Sequence, residues 1–486
     1  MNYIGTRNET IKATASEAIL KGICEDGGLF VPQQIPKLEC SLEELSPLDY
    51  RQLAYEILKL YLTDFTEEEL RFCIKNAYDD KFDTDLIAPL KKVDDALFLE
   101  LFHGKTLAFK DMALSILPYL MKTAAKKQAI DKEIVILAAT SGDTGKAALE
   151  GFAGVEGTRI FVFFPEDGVS PVQKLQMTTQ EGKNTCVVGI QGNFDDAQSA
   201  VKSIFTDEVL AKELEEKGFV FSSANSINIG RLVPQVVYYF YAYFQAVKQG
   251  EISLGDFINV TVPTGNFGNI LAGYYAKCMG LPIKHFVCAS NDNKVLYDFF
   301  REGIYNKNRE FHVTVSPSMD ILISSNLERL LWKMGGEENT RRWMQELQSR
   351  GQYQVELTEK SITGEFATKD ETFEAIRSLY EKTGYVMDTH TAVAYAAYQT
   401  YKKETGDNTP MVIVSTASPY KFTKDVMTAI DEQFATGDAF DLMDTLQEMS
   451  GVQIPKSIAG IQHREVLHNN VCPKDEIKEF IRKHLC

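Results

Sequence analysis

The sequence predicts an α/β protein, and three observations carry that prediction. Short, continuous apolar runs recur at Ile134–Ala139, Ile160–Phe164, Thr185–Ile190, Phe219–Phe221, Ile258–Val262, His285–Ala289 and Met411–Ser415. Segments long enough for helices separate them: Gly145–Phe152, Pro171–Gln180, Asp195–Phe205, Ile229–Lys248 and Phe267–Met279. Several runs end in turns rich in Gly, Ser and Thr. Strands that are apolar throughout, rather than alternating, describe parallel sheets covered on both faces by helices.

Taken in order, residues 1 to about 90 read as a mixed, mostly helical N-terminal region. Ser46-Pro47 has the composition of a helix start, and Tyr50 to Leu62 places apolar residues at helical spacing. A large α/β region is expected over residues 91–425, with a smaller lobe near 145–235. The stretch 426–486 is charged and helical in pattern. No internal repeat and no low-complexity segment occurs.

The 486 residues are 44% hydrophobic, enough for a sizeable core. Lys and Arg number 51 against 68 Asp and Glu, a net charge of −17. That balance excludes nucleic-acid binding by bulk charge and repels anionic membrane. No run reaches the roughly 18 consecutive apolar residues of a membrane span, and the opening residues lack the apolar core of a secretory signal. The eight cysteines form no close pair or repeated spacing. In a chain this long they read as reduced thiols of a cytoplasmic protein.

Ligands of such folds bind where a strand exits into a helix. The first exit, Thr140-Ser141-Gly142-Asp143-Thr144-Gly145, combines glycines that allow close backbone approach, hydroxyl donors and a helix N-terminus that favours an anion. An ordinary N-cap accounts for the same residues. It is not a nucleotide P-loop, because Ala147 follows Gly145-Lys146. The second exit, Pro263-Thr264-Gly265-Asn266-Phe267-Gly268-Asn269, repeats the design. The third, Ser415-Thr416-Ala417-Ser418-Pro419, offers neutral hydroxyls.

Lys110 stands among Leu107, Ala108, Phe109, Met112 and Ala113. Apolar surroundings disfavour the charged form of a lysine, as an amine that attacks a carbonyl requires. Alone, such a lysine reads as one on the wet face of an amphipathic helix. Beside a phosphate-cradling loop it matches what a pyridoxal phosphate site needs: a Schiff-base amine, an anion nest and a group facing the ring nitrogen.

The segments FHGKTLAFKD, TSGDTG, SSANSINIGR (222–231), PTGNFGN and STASPYKF resemble threonine synthase, of the fold type II group of pyridoxal phosphate enzymes, and stand in the same order. The openings Tyr3-Ile4-Gly5-Thr6-Arg7 and Asp26-Gly27-Gly28-Leu29-Phe30-Val31-Pro32, and the segment Asp388-Thr389-His390-Thr391-Ala392, are similar too. The resemblance runs to about residue 425. It implies that Lys110 holds the cofactor and that Gly265, Asn266, Phe267, Gly268 and Asn269 bind its phosphate. Thr416, with Ser415 as the second choice, would face the pyridine nitrogen. Ser141, Asp143, Thr144 and Asn225 would line the substrate side. Two residues depart from the family pattern: Lys105 where Pro is usual, and Ser418 where His is usual.

The activity implied is conversion of O-phospho-L-homoserine and water to L-threonine and phosphate, by a monomer or homodimer with no nucleic-acid or membrane partner. Lys105, Arg231 or Lys421 would compensate the phosphate charge. The rivals are a phospho-lyase or a threonine/serine dehydratase of the same fold, and a small-molecule sensor without catalysis. A metal enzyme built on His463, His468 and Cys472 is the weakest, for want of zinc-type spacing.

Overall fold

A computed structural model describes residues 1–485, apart from 141, 167, 168, 193 and 206 and the side chains of 194, 195 and 202. The N-terminal region contains β1 (Tyr3–Gly5), β2 (Lys12–Ala13) and β3 (Phe30–Pro32), a small antiparallel sheet. Its helix Tyr50–Tyr61 starts at Asp49, which accepts from the Gln52 N–H, and not at Ser46-Pro47. Ser46 instead closes the short preceding helix Leu42–Leu45.

The remaining strands, in chain order, are β4 (Leu90–Val93), β5 (Ala96–Glu100), β6 (Glu133–Ala139), β7 (Thr158–Pro165), β8 (Thr185–Gln191) and β9 (Phe219–Ser222). They continue with β10 (Ile258–Pro263), β11 (Ile283–Ser290), β12 (Ile304–Asn306), β13 (Gln352–Gln354), β14 (Ile362–Phe366), β15 (Met411–Ser415) and β16 (Asn470–Pro473). All seven apolar runs are strands.

Two sheets dominate. The larger has the order β14-β11-β10-β15-β5-β4, parallel except for the β4–β5 hairpin at its edge. Successive residues of each strand bury on opposite faces, as the pleat dictates. Leu97, Leu99, Val412 and Val414 enter one core, with the helix Pro234–Lys248. Phe98, Met411 and Ile413 enter another, under the helices Lys369–Thr383 and Thr389–Thr405. That double burial is why these strands are apolar throughout.

The smaller sheet has the order β16-β8-β7-β6-β9, all parallel. It draws on residues 133–222, which begin and end about a dozen residues before the expected 145–235, and on the C-terminal stretch. That stretch, expected to be helical, also supplies the edge strand β16, because Cys472 and, on the helix Ile477–Leu485, Ile477, Ile481 and Leu485 bury against Val188, Ile190 and Ala197. The helix expected over Ile229–Lys248 is two, Ile229–Leu232 and Pro234–Lys248, since Pro234 starts the second and donates no N–H. The run Tyr238–Tyr241 is buried in the core. Gly151 brings the helix Asp143–Phe152 against Leu114: a Cβ there would strike the Leu114 carbonyl.

Candidate active site

Lys110 opens the short helix Asp111–Leu114 and is only 8% exposed. Its approach is built by a backbone clamp between two distant segments. The Phe109 N–H donates to Thr416 O at 2.8 Å and the Ser418 N–H to Leu107 O at 3.0 Å, with Ala108 paired to Ala417. The turn before it is closed by Asp111, which accepts from the Thr106 N–H and hydroxyl. Lys421 Nζ donates to Thr106 O at 2.7 Å. Lys110 and Thr416 therefore stand together because adjoining segments pair, not because they are near in sequence.

Asp143 is the charged centre of the site. Its Oδ2 faces Lys110 Nζ at 3.4 Å and accepts from the Ser318 hydroxyl at 3.1 Å. Its Oδ1 lies 3.1 Å from Lys421 Nζ and accepts from Gln173 Nε2 at 3.0 Å. Ser318 Oγ in turn accepts from Lys110 Nζ at 3.1 Å. Burial alone would raise the Asp143 carboxyl; Lys421 and Lys110, with Gln173, hold it well below the ordinary carboxylate range. Burial lowers the Lys110 amine, Asp143 opposes that, and Lys421 and Arg231 add to it.

The exit of β10 forms the second wall. Gly265 is required there: a Cβ would lie 2.5 Å from Ser318 O. Phe267 takes a left-handed conformation at φ 64°, and the helix Gly268–Met279 begins with no side-chain cap. The N–H groups of such a first turn have no partner within the helix. Asn269 Nδ2 is buried without a hydrogen-bond partner, while its Oδ1 and O accept from the Tyr239 hydroxyl. Asn326 braces the loop, donating to Asn266 O and Ser226 O. Arg329 braces Asn326 and reaches Ile227 O and Phe30 O, so the N-terminal sheet is tied into the same wall. A buried amine, an uncapped helix N-terminus and an orphaned amide donor are what a carbonyl-bearing phosphate ligand needs.

Lys110, Asp143, Thr416 and the 265–269 loop thus share one site, Ser318 bridging the first two. Thr416 and Ser415 are both buried. Thr144 is half-buried in the first turn of its helix, Asn225 is exposed between the buried Ala224 and the half-buried Ser226, and Ser141 lies outside the described residues. Among the described residues no hydrogen bond or ion pair joins Asn225 or Thr144 to Lys110. Of the three cations offered for phosphate, Lys105 is half-exposed and paired with Glu150 at 3.1 Å, and Lys421 is paired with Asp143. Arg231 is 4% exposed; Nη1 donates to Ala224 O, Nε has no partner, and among the described residues no carboxylate pairs with it. Burial pushes its guanidinium down to about 10. His390 backs the site through the Ser318 N–H, whereas His103 lies between Asp83 and Glu100. His468 meets Gln180 O rather than a metal-binding partner.

Sequence reasoning missed Ser318, Asn326, Arg329 and Gln173. The first three lie in the irregular stretch 307–330 and its helix, which carries no glycine loop and no apolar run to mark it. Gln173 was legible only as the capping-box partner of Ser170.

Three family models match the chain: "Threonine synthase N terminus" over residues 2–78, "Pyridoxal-phosphate dependent enzyme" over 87–417, and "Threonine synthase, C-terminal" over 391–481. Human threonine synthase-like 1 is 41% identical over 434 residues, covering 85% of this chain. The chain spans only 58% of that relative's length. Threonine synthase of Schizosaccharomyces pombe is 37% identical over 468 residues, covering 88% of this chain and 89% of its own. Among solved structures, pyridoxal phosphate-bound threonine synthase from Brucella melitensis superposes with a TM-score of 0.86 at 35% identity, covering 100% of this chain and 99% of its own. Threonine synthase from yeast gives 0.88 at 33% identity, covering 100% and 98%.

Proposed function

We propose, for a chain that belongs to the threonine synthase family of pyridoxal phosphate-dependent enzymes, that it converts O-phospho-L-homoserine and water to L-threonine and phosphate. The observation that carries this reading is the buried Lys110 amine set between Asp143 and Ser318, whose carbonyl overhangs the Gly265 cradle.

Lys110 would hold the cofactor through its aldehyde, and Gly265 to Asn269 would hold its phosphate. Thr416, with Ser415 second, would face the ring nitrogen. When bound, pyridoxal phosphate supplies a sink for negative charge developing beside the substrate amine. The chain's own residues do the rest. Lys110, once its amine is free, would take the proton from Cα, pass it on, and then take one from Cβ. Burial lowers its proton affinity, the direction that favours this work. Phosphate departs from Cγ, and the unpaired Arg231 guanidinium compensates its charge. Lys110 would return one proton to Cγ, completing the methyl group, and one to Cα after water has given its hydroxyl to Cβ, so that threonine is formed. Ser141, Asp143, Thr144 and Asn225 remain the proposed substrate side.

Lys105 is paired elsewhere, so its departure from the family pattern bears less on substrate choice. Ser418 caps the turn Pro419–Phe422 through the Tyr420 N–H, and its departure stands beside Lys110's clamp. Among the described residues no helix is long and apolar enough to cross a membrane, and the seven described cysteines are free thiols. The proposed reaction is that of a cytoplasmic enzyme acting on a small molecule.

The test is incubation of the cofactor-loaded protein with O-phospho-L-homoserine. Threonine and phosphate in equal amounts, lost in Lys110→Ala, are expected. Release of 2-oxobutyrate in place of threonine would establish the phospho-lyase instead.

A further inference from the structure

Ser318 is positioned as if to hold Lys110 and Asp143 apart. Its hydroxyl donates to Asp143 Oδ2 at 3.1 Å and its oxygen accepts from Lys110 Nζ at 3.1 Å. The direct Lys110–Asp143 separation is 3.4 Å. An unobstructed ammonium–carboxylate contact closes to about 2.7–2.9 Å.

The serine is itself held from two sides. Its N–H donates to His390 Nε2 at 3.1 Å, so Nε2 is the acceptor and the ring proton sits on Nδ1, 2.8 Å from Asp388 Oδ2. Asp388 is fully buried and also accepts from the N–H groups of His390 and Thr391. On the other side the Ser318 carbonyl packs over Gly265. A surface serine would have none of this support.

We propose that Ser318 is a positioning residue of the reaction centre: held by the His390–Asp388 pair, it spaces Lys110 from Asp143 and keeps their ion pair long, at 3.4 Å. The charged groups acting on Lys110 are Asp143 on the helix Asp143–Phe152, Lys421 on the turn Pro419–Phe422 and Arg231 on the helix Ile229–Leu232, with His390 behind Ser318. Asp143 is the group that favours the ammonium. Any shortening of that one contact would hold the proton on Lys110 more tightly and leave less of the amine free to accept one. The inference rests on the reading of Lys110 as the reactive amine, and its test separates the two.

Cofactor-free protein is labelled with acetic anhydride across pH, and Lys110 acylation is followed by peptide mass mapping. In Ser318→Ala the labelling midpoint should rise by about one pH unit, a tenfold gain in proton affinity. In loaded enzyme kcat near neutral pH should fall about tenfold, with the acid limb of the profile moved upward and KM within about twofold. Ser318→Thr, which keeps the hydroxyl, should restore both. An unchanged midpoint in Ser318→Ala overturns the proposal. So does a lowered one, which would mean that the serine merely solvates the ammonium. A raised midpoint in a protein whose wild type forms no threonine would instead defeat the proposed function and leave the spacing role standing.

Discussion

Lys421 Nζ and Asp143 Oδ1 form an ion pair at 3.1 Å in which neither side chain is more than 7% exposed. The pair leaves the other Asp143 oxygen to Ser318 and Lys110. A buried carboxylate shared between two lysines is stable only while both are present.

Lys421→Met should therefore cost about 3–5 kcal/mol of stability, because it leaves Asp143 half-compensated in the interior. The Asp143 carboxyl is held below its ordinary value, so its contribution is present above that value and is lost as pH falls. Denaturant titrations of wild type and Lys421→Met at pH 7 and pH 3, the latter below the ordinary aspartate value of about 3.9, test this: the gap between them should narrow at the lower pH.

His103 gives a pH dependence of opposite sign. Burial lowers it, but hydrogen bonds to Asp83 and Glu100 raise it to about 9 from 6.5. Stability from a raised histidine is complete below the unfolded value and is lost as pH rises through the folded one. Between pH 6.5 and 9 wild type should lose about 2–3 kcal/mol that His103→Gln does not lose. Chemical denaturation across that window provides the comparison.

Gly265→Ala should fold and fail to hold the cofactor. The new Cβ would meet the Ser318 carbonyl at 2.5 Å, so either the loop or the 317–319 turn must shift. Affinity for pyridoxal phosphate, followed by absorbance titration, should weaken at least about tenfold, equivalent to about 1.4 kcal/mol. Unaltered affinity would remove this loop from the cofactor site.

The C-terminal strand predicts where the smaller sheet is vulnerable. β16 pairs with β8 from Asn470–Val188 to Pro473–Gln191, and Ile481 behind it is fully buried. Ile481→Ala should cost about 2–5 kcal/mol. Amide exchange in β8 should accelerate while β10 and β11, in the other sheet, stay protected.

The seven apolar runs were legible because a strand covered on both faces is apolar at every position. The strands missed, β1 to β5, β12 to β14 and β16, are two to five residues long, too short to show a period. β16 lies in a polar stretch and pairs with a strand about 280 residues earlier, so local composition could not reveal it. Lys110, Asp143 and the 265–269 loop were legible through strand-exit turns and a lysine in an apolar context. Ser318 was not. Its neighbours Pro317 and Met319 mark only a turn, and its partners are 175 and 208 residues away.

By itself the sequence determined the chemistry available to this protein: a lysine bordered by apolar residues, glycine turns placed at strand ends, and neutral hydroxyls after the final strand of the larger sheet. Those features depend on near neighbours, which a chain carries with it. Only the tertiary structure decided which cation lacks a counter-ion among the described residues, Arg231 rather than Lys105 or Lys421, and which hydroxyl bridges Lys110 and Asp143. Pairing and burial of charges are properties of the space between segments, set by how the two sheets and the 317–319 turn pack around one carboxylate.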